Sequence, residues 1–225
     1  MVSRFVLSGL SLAAVLTLSC FVPAAQGVTS SEDRVIEPVN DRVMTVLRGN
    51  TRPEALNPEN DRGMVGDNLL LDHMLLLLKR SPTVQTQLDE LVQQQNEPGS
   101  PNYHKWLTTE QFGSRFGVSE SDITQVTSWL ESRGFTVQQV YPDRTMIDFS
   151  GTAGAVREAF RTEIHALEVN GASHIANISD PQIPSALAGV VSGVVSMNDF
   201  RPHPIAQSGN GNPHRSPVGI ADAGQ

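Results

Sequence analysis

The alternation of polar and apolar positions is clearest in the middle of the chain, where it predicts two consecutive helices. Thr108 and Gln111 have the spacing of a capping box, so the first helix begins at Thr108. Ser119 and Asp122 repeat this start signal, and Gly134 ends the second helix by supplying a left-handed residue. The apolar side chains of the second helix recur at helical spacing: Ile123, Val126 and Leu130.

A continuous apolar run from His73 to Lys79 predicts a strand that is buried on both faces, although a buried helix would show the same run. Ser81-Pro82 separates it from the next element, since serine caps a helix and proline suits its first position. This helix extends to about Gln95, and its glutamines 93–95 are expected to point outward. Its buried face is predicted to contain Val84, Leu88, Leu91 and Val92.

Two hairpins follow in the second half of the chain. The first joins residues 135–141 and 144–149, turns at Pro142-Asp143, and places Ile147 and Phe149 on one face. Thr152 then caps a short helix. The second hairpin joins residues 163–169 and 173–178 through Asn170-Gly171, a strong signal for a two-residue turn.

The flanks of this region predict smaller elements. Residues 43–47 favour one strand, and residues 190–197 favour a last strand that is small and β-branched. Pro181 and Pro184 bracket a predicted turn that precedes a small helical piece.

The order strand, helix, hairpin, helix, strand predicts an α+β fold. We expect a ferredoxin-like antiparallel sheet with helices packed on one face, plus extra strands and helices. Four segments are expected along the chain. They are a signal peptide at 1–27, a leader segment packed on the domain at 28–67, the folded domain at 68–200, and a flexible linker or tail at 201–225.

The N-terminus predicts export from the cytoplasm to the extracellular space or the periplasm. Arg4 precedes an apolar run from Phe5 to Leu18, which has the charge order of a signal peptide and is too short to span a bilayer. Cleavage could follow Ala24 or Gly27. The single cysteine, Cys20, also leaves open a lipid anchor.

Charge excludes one class of partner. The formal net charge is −8 and the chain has no run of Lys or Arg, whereas nucleic-acid binding needs clustered basic residues. Nucleic acid is therefore not an expected partner, and no contact with a membrane is expected beyond the signal peptide.

The loop before Thr108 contains a motif that helix signals do not explain: Ser100-Pro101-x-Tyr103-His104-x-Trp106-Leu107. It resembles the signature of the activation domain, or propeptide, of the sedolisin (pro-kumamolisin) family of serine-carboxyl peptidases. The resemblance extends over roughly residues 35–200. Further matching segments lie at residues 47–55, 60–63, 74–81, 149–153, 159–160, 170–171, 176–177, 181–187 and 190–198.

This resemblance implies a ferredoxin-like fold and a partner, the catalytic domain of a sedolisin-type peptidase, in cis or in trans. Activation domains of this family assist folding of the peptidase, block its cleft and are cut off in acid. The family's catalytic glutamate, aspartate and serine lie in a separate downstream domain with a calcium site, and nothing after Phe200 could encode them. The resemblance therefore assigns no catalytic residue, cofactor or metal to this chain, which is expected not to be an enzyme.

Ser150-Gly151-Thr152-Ala153 resembles the nucleophile motif Ser-Gly-Thr-Ser of the family's peptidases, but Ala153 occupies the position of the attacking serine. We interpret the segment as a strand end, a glycine turn and a helix cap. The six histidines show no spacing typical of a metal site, although His165 and His174 could face each other across the second hairpin. Asn177-Ile178-Ser179 is a formal glycosylation sequon.

The candidate site is therefore the signature motif itself, as a possible interface: Ser100, Pro101, Tyr103, His104, Trp106 and Leu107. Tyr103 and Trp106 could form a platform that stacks on a sugar or peptide, but aromatic residues beside a helix start more often fasten the loop to the core, and we expect the latter. Two other functions stay open. One is an independent extracytoplasmic protein-binding module, and the other is the truncated product of a split peptidase gene.

Overall fold

The computed structural model describes residues 32–200, which contain nine strands and four α-helices. The strands are β1 (Met44–Val46), β2 (Asp61–Met64), β3 (Leu70–Leu78), β4 (Thr136–Val140), β5 (Met146–Thr152), β6 (Ile164–Val169), β7 (Ala172–Asn177), β8 (Gln182–Pro184) and β9 (Val191–Val195). The helices are α1 (Pro82–Asn96), α2 (Thr109–Phe116), α3 (Glu120–Ser132) and α4 (Ala153–Phe160). The predicted signal peptide, Cys20 and the tail at 201–225 lie outside the described residues.

The central sheet has four antiparallel strands in the order β4-β5-β3-β9. Along the chain, β3 is followed by helices, the β4–β5 hairpin, α4 and β9. This combination of element order and strand order is the ferredoxin-like topology, so the predicted α+β fold is confirmed. Helices α3 and α4 contact β4 and β5 respectively.

Strand β3 is confirmed as a strand, but the expectation that both its faces are buried is wrong. Met74 and Leu76 are fully buried, whereas the alternate residues Leu75 and Leu77 are only half-buried. Successive side chains of a strand point to opposite faces, so one face of the sheet meets the core and the other stays partly open. Because leucines occupy half-buried and buried positions alike, the sequence does not show this alternation.

All four predicted helix starts are confirmed. Ser81, Thr108, Ser119 and Thr152 are N-caps whose side chains accept a hydrogen bond from a backbone N–H of the first turn. Thr108 and Gln111 form the reciprocal capping box. Gly134, with φ of +83°, follows the end of α3 as predicted.

The predicted faces of α1 are partly wrong. Val92 is 48% exposed, and Gln95, expected to point outward, is only 7% exposed. The reason is that α1 packs against α2, and the Gln95 amide turns inward to donate to the carbonyl of Lys105 at 2.5 Å.

Aromatic rings and the stripe of α3 fill the core between the sheet and the helices. Phe160 at the end of α4 contacts the rings of Trp129, Phe135 and Phe149, with centroids 5.3, 5.6 and 6.0 Å away. Val126 and Leu130 are fully buried beside them, and Ile123 is 9% exposed, which confirms the predicted stripe.

Two smaller sheets complete the fold. The predicted hairpin at Asn170-Gly171 is confirmed as β6–β7, and β2 joins it to form a three-stranded sheet in the order β2-β6-β7. The predicted turn between Pro181 and Pro184 is wrong, because those residues include β8, which pairs with β1. A short 3-10 turn at Ser185–Leu187 follows β8, as the helical signal indicated.

Candidate interaction surface

The face of the central sheet that points away from the core carries an apolar patch. Leu75 lies opposite Asp148 on β5 and Val195 on β9, and Leu77 lies opposite Met146. Directly opposed residues share one face, so these side chains form what we call the open face, with Leu75, Leu77, Met146 and Val195 as its apolar patch and Asp148 at the border of that patch. Its leucines and Met146 are half-buried, and Val195 is 40% exposed.

A polar cluster borders the open face at a bulge in β3. Between Leu71 and Met74 the register of β3 against β5 shifts, so that Asp72 and His73 share the space opposite Ser150. The Ser150 hydroxyl donates to Asp72 at 2.5 Å and accepts the backbone N–H of His73 at 3.1 Å. His73 Nδ1 lies 2.9 Å from Asp148 Oδ2.

These contacts shift two ionisation equilibria in the polar cluster. The hydrogen bond from His73 to Asp148 and the charges of Asp148 and Asp72 raise the pKa of the His73 imidazole. The hydrogen bond from Ser150 is the largest effect that lowers the pKa of Asp72. The cluster therefore favours charged His73 and charged Asp72 under mildly acidic conditions.

A cleft of about 680 Å³ opens beside this cluster, where the central sheet meets β7. His73 and Ser196, both lining the cleft, have left-handed φ values of +54° and +67°. Phe200, another lining residue, stacks on His174 at 4.0 Å and under the Arg52 guanidinium at 4.5 Å. This stack fastens the end of the described chain to the rest of the domain.

Ser150 is not arranged as a nucleophile. It is 5% exposed, and its hydroxyl is engaged by Asp72 and by the amide of Gln138 at 3.3 Å. Thr152 caps α4 through the backbone N–H of Ala155, as predicted. Gly151 is required by packing, because a Cβ there would lie 2.3 Å from the Phe135 ring. The segment is thus a strand end and a helix cap.

The signature loop, residues 98–107, presents its aromatic rings to solvent. Trp106 is 67% exposed and Tyr103 is 39% exposed, so the expectation that these rings fasten the loop to the core is wrong. The rings instead stack on one another through His104, at 3.8 Å from Tyr103 and 6.0 Å from Trp106. Leu107 and Ser100 are half-buried, and Pro101 is exposed.

Hydrogen bonds to the end of α1 hold the signature loop in shape. The backbone N–H of His104 donates to the carbonyl of Gln95 at 3.1 Å, while the Gln95 side chain binds Lys105. The Ser100 hydroxyl accepts the N–H of Asn102 at 3.1 Å. These hydrogen bonds fix the loop and explain why the residues of the motif stand close together in the sequence. Whether its six residues contact a partner remains a prediction.

The sequence pattern did not predict the open face. The polar residues Asp148 and Ser150, alternating with Ile147 and Phe149, were the available signal that β5 has a second, less apolar face.

The expectation that His165 and His174 could face each other across the hairpin is wrong. His165 lies opposite Ala176 and His174 lies opposite Leu167. Each histidine contacts a carboxylate instead, Asp61 for His165 and Asp199 for His174. Within residues 32–200, no group of three His, Cys, Asp or Glu side chains is placed to hold a metal ion.

The glycosylation sequon lies in the interior of the fold. Asn177 is fully buried, and its amide donates to the backbone carbonyls of Asn50 and Ser179 at 2.9 and 3.0 Å. Attachment of a glycan to folded protein would break both hydrogen bonds, so the sequon has no accessible acceptor in this structure.

Hydrogen bonds around Asn50 explain the polar composition of residues 49–51, which belong to the matching segment at residues 47–55. Asp180 accepts the backbone N–H groups of Gly49 and Asn50 and the hydroxyl of Thr51, at 2.9 to 3.0 Å. The Asn50 side chain in turn accepts the N–H of Val194 at 2.8 Å, which covers the outer edge of β9. The segment around Asn50 therefore covers one edge of the central sheet.

No helix between residues 32 and 200 combines the length and the apolar composition needed to cross a membrane.

Comparison with known proteins connects this fold to one family. Residues 60–200 match the family described as Pro-kumamolisin, activation domain. The chain is 34% identical to sedolisin of Pseudomonas sp. (strain 101) over 138 residues, which cover 61% of this chain and 23% of sedolisin. It is 37% identical to xanthomonalisin of Xanthomonas sp. (strain T-22) over 102 residues, covering 45% of this chain and 12% of that protein.

A more distant relative, kumamolisin of Bacillus sp. (strain MN-32), is 22% identical over 157 residues, covering 70% of this chain and 27% of its own length. The matched part of the chain thus spans about a quarter or less of the relatives it resembles. The family match covers well over half of the chain and includes the whole central sheet with α1 to α4. The chain belongs to the family of pro-kumamolisin activation domains.

Proposed function

We propose that this protein is a secreted propeptide that binds the catalytic domain of a sedolisin-type peptidase through its open face, assists the folding of that domain and inhibits it until the propeptide is cut off in acid. The observation that carries the proposal is the apolar patch of Leu75, Leu77, Met146 and Val195 on the face of the sheet opposite the helices. Family membership supplies the class of partner.

The composition of the open face supports binding to a folded protein. A contiguous apolar patch with a polar border is typical of protein interfaces, which have an apolar centre and a hydrated rim. Here the leucines and Met146 form the centre, and His73, Asp72 and Asp148 form the border. A preformed β-sheet presents this surface without ordering a loop on binding, which lowers the entropic cost of association.

We expect the purified domain to have no peptidase activity at any pH between about 3 and 8. The reason is that Ser150, the serine in the nucleophile-like motif, is buried and bonded to Asp72. The measurement is cleavage of denatured casein and of fluorogenic peptides by wild-type protein and by Ser150→Ala. Hydrolysis by the wild type that is lost in Ser150→Ala would contradict the assignment, whereas hydrolysis retained in both would identify a contaminant.

Inhibition of the peptidase is expected to weaken as pH falls. Acidic residues outnumber Lys and Arg 24 to 16, and a carboxylate paired across an interface has a lowered pKa in the complex. Its contribution is therefore present above the free pKa, near 4, and is lost as pH falls through the lowered value. Because the pKa of His73 is raised, this histidine becomes charged at a higher pH than the one at which the interface carboxylates are protonated. Inhibition should therefore weaken below about pH 5.

The experiment titrates the domain against a sedolisin-type catalytic domain and measures the inhibition constant between pH 7 and pH 3. Val195→Asp places a charge at the exposed edge of the apolar patch and should weaken inhibition about tenfold or more, because burying an unpaired carboxylate is unfavourable. Leu56→Asp is the matched control, since Leu56 is 64% exposed and does not belong to the open face. Equal inhibition by both variants, or tighter inhibition in acid, would contradict the proposal.

A second candidate function is an extracytoplasmic module that binds another protein through the signature loop. The exposed stack of Tyr103, His104 and Trp106 favours it, because exposed rings held in a fixed loop are common at binding sites. The titration separates the two functions, because no inhibition at any pH would leave only the second one. Inhibition abolished by Trp106→Ala and unaffected by Val195→Asp would keep the propeptide function but assign its interface to the signature loop.

A further inference from the structure

His165 connects two parts of the chain that are distant in sequence. Its Nδ1 lies 2.7 Å from Oδ1 of Asp61, the first residue of β2, and its Nε2 lies 3.1 Å from Oε2 of Glu163. The His165 side chain is 11% exposed, against 34% for Asp61 and 46% for Glu163. Both ring nitrogens are therefore directed at carboxylates in a largely water-excluded position.

Only one protonation state satisfies both contacts. An ionised carboxylate is an acceptor alone, and a neutral imidazole has one N–H donor and one bare acceptor nitrogen. Neutral His165 can thus donate to Asp61 or to Glu163, but not to both. The imidazolium donates to both, and its hydrogen bonds are charge-assisted.

The charges around His165 also favour the imidazolium. Strand β6 packs against β2, β7, α4 and the short turn at Pro58–Asn60. Among the basic side chains on these elements, Arg62 pairs with Glu168 at 3.2 Å and His174 contacts Asp199 at 3.1 Å. Arg157 is bound by Asp67 and also interacts electrostatically with Glu163. The remaining ionisable side chains on these elements are acidic: Glu59, Asp61 and Glu158.

Strand β2 is exposed at the edge of its sheet. It is an edge strand of four residues, its register against β6 is irregular, and three of its four residues are exposed. The backbone N–H of Val65 donates to the carbonyl of Ile164 at 3.0 Å just after β2 ends. The bridge through His165 therefore acts beside three other contacts: the pair of Arg62 and Glu168, the contact of Arg157 with the Met64 sulfur at 3.5 Å, and the Val65 hydrogen bond.

We propose that His165 is an acid-locked clasp, in which the imidazolium bridges Asp61 to Glu163 and holds strand β2 on the domain more firmly at mildly acidic pH than at alkaline pH. Burial of the ring opposes its charge, but the hydrogen bonds and charges of Asp61 and Glu163 outweigh burial and raise the pKa of His165. The backbone N–H of Gly63 and the contact with His165 lower the pKa of Asp61.

The pH range in which the clasp is closed follows from the raised pKa of His165 and the lowered pKa of Asp61. A histidine with a raised pKa stabilises the fold fully below its unfolded value, near 6.5, and this stabilisation is lost as pH rises through the folded value. A carboxylate with a lowered pKa stabilises the fold above its unfolded value, near 3.9, and this is lost as pH falls through the folded value. The clasp is therefore closed between roughly pH 4 and pH 6.5. Protonation of His165 tightens the domain, so it cannot be the event that releases a propeptide in acid.

The test is hydrogen exchange of the Val65 amide in the full chain at pH 5.5 and pH 8.5, corrected for the intrinsic exchange rate. Protection at pH 8.5 should be about threefold to tenfold lower than at pH 5.5, the effect of losing one hydrogen bond of ordinary strength. The Ile123 amide of α3, which donates to the backbone carbonyl of the N-cap Ser119, is the internal reference and should not share this change. Equal protection of Val65 at both pH values would overturn the proposal.

Variants and a direct titration complete the experiment. His165→Gln should remove the pH dependence at Val65, whereas the matched control His104→Gln, at an exposed histidine, should retain it. Retention of the parent pH dependence in His165→Gln would contradict the clasp. If His165→Gln fails to fold, an NMR titration of the wild-type His165 imidazole decides: the proposal requires His165 to deprotonate at a higher pH in the folded protein than in the urea-unfolded protein, and an equal or lower value in the folded protein overturns it.

Discussion

Replacing Phe160 by alanine is expected to lower the free energy of unfolding by about 3 to 5 kcal/mol, the range measured when buried aromatic side chains are truncated. Phe160 is fully buried, and its ring meets those of Trp129, Phe135 and Phe149 between the central sheet and α3. Its removal leaves a cavity that three rigid neighbours cannot easily fill. Because small domains are stable by only about 5 to 15 kcal/mol, this is a large fraction of the total.

Urea denaturation followed by tryptophan fluorescence measures this loss. Leu130→Ala, at a second fully buried position, should cost about 2 to 5 kcal/mol. Leu56→Ala is the control and should stay within about 0.5 kcal/mol of wild type, since Leu56 is 64% exposed. A Phe160→Ala midpoint close to that of Leu56→Ala would show that the core has been placed wrongly.

Replacing Asp122 by alanine is expected to detach the segment that precedes β1. Asp122 is fully buried, and its carboxylate accepts the backbone N–H groups of Arg34 and Val35 at 3.0 and 2.8 Å. The Arg34 guanidinium lies 3.9 Å from the same carboxylate. Each donor left without a partner costs about 1 to 3 kcal/mol if it stays buried, so the segment should leave the surface instead.

The measurement combines urea denaturation with limited trypsin digestion. Asp122→Ala should be cut after Arg34 and Arg42 much faster than wild type, because proteolysis requires a locally opened chain. Asp122→Asn keeps one acceptor oxygen and should be intermediate. Asp89→Ala, at an exposed position on α1, is the matched control and should digest like wild type. Digestion of Asp122→Ala at the wild-type rate would contradict the assigned role.

Local signals in the sequence predicted the elements well, because each depends on neighbours within four residues. The hydroxyls of Ser81, Thr108, Ser119 and Thr152 cap helices by accepting a backbone N–H three residues on. Asn170-Gly171 turns the second hairpin because both residues adopt positive φ. The order of these elements was sufficient for the ferredoxin-like topology.

Positions whose environment comes from distant residues were predicted poorly. Val92 and Gln95 exchange their expected exposure because α1 packs on α2, a choice that the periodicity of α1 does not contain. Trp106 was expected to pack on the core, but the stack with His104 and Tyr103 leaves it in solvent. The position of an aromatic residue before a helix start does not determine whether its ring packs on the core or faces solvent.

The candidate surfaces also divide into features set by local sequence and features set by distant residues. The sequence by itself determined the helix caps, the turns, the buried stripe of α3 and the resemblance to a propeptide family, since these depend on local spacing and composition. Only the tertiary structure placed Leu75 and Val195 on one open face, and only it brought His165 to Asp61, 104 residues away. Strand pairing and sheet order decide such contacts, and they arise from the burial of the whole chain, which no local pattern encodes.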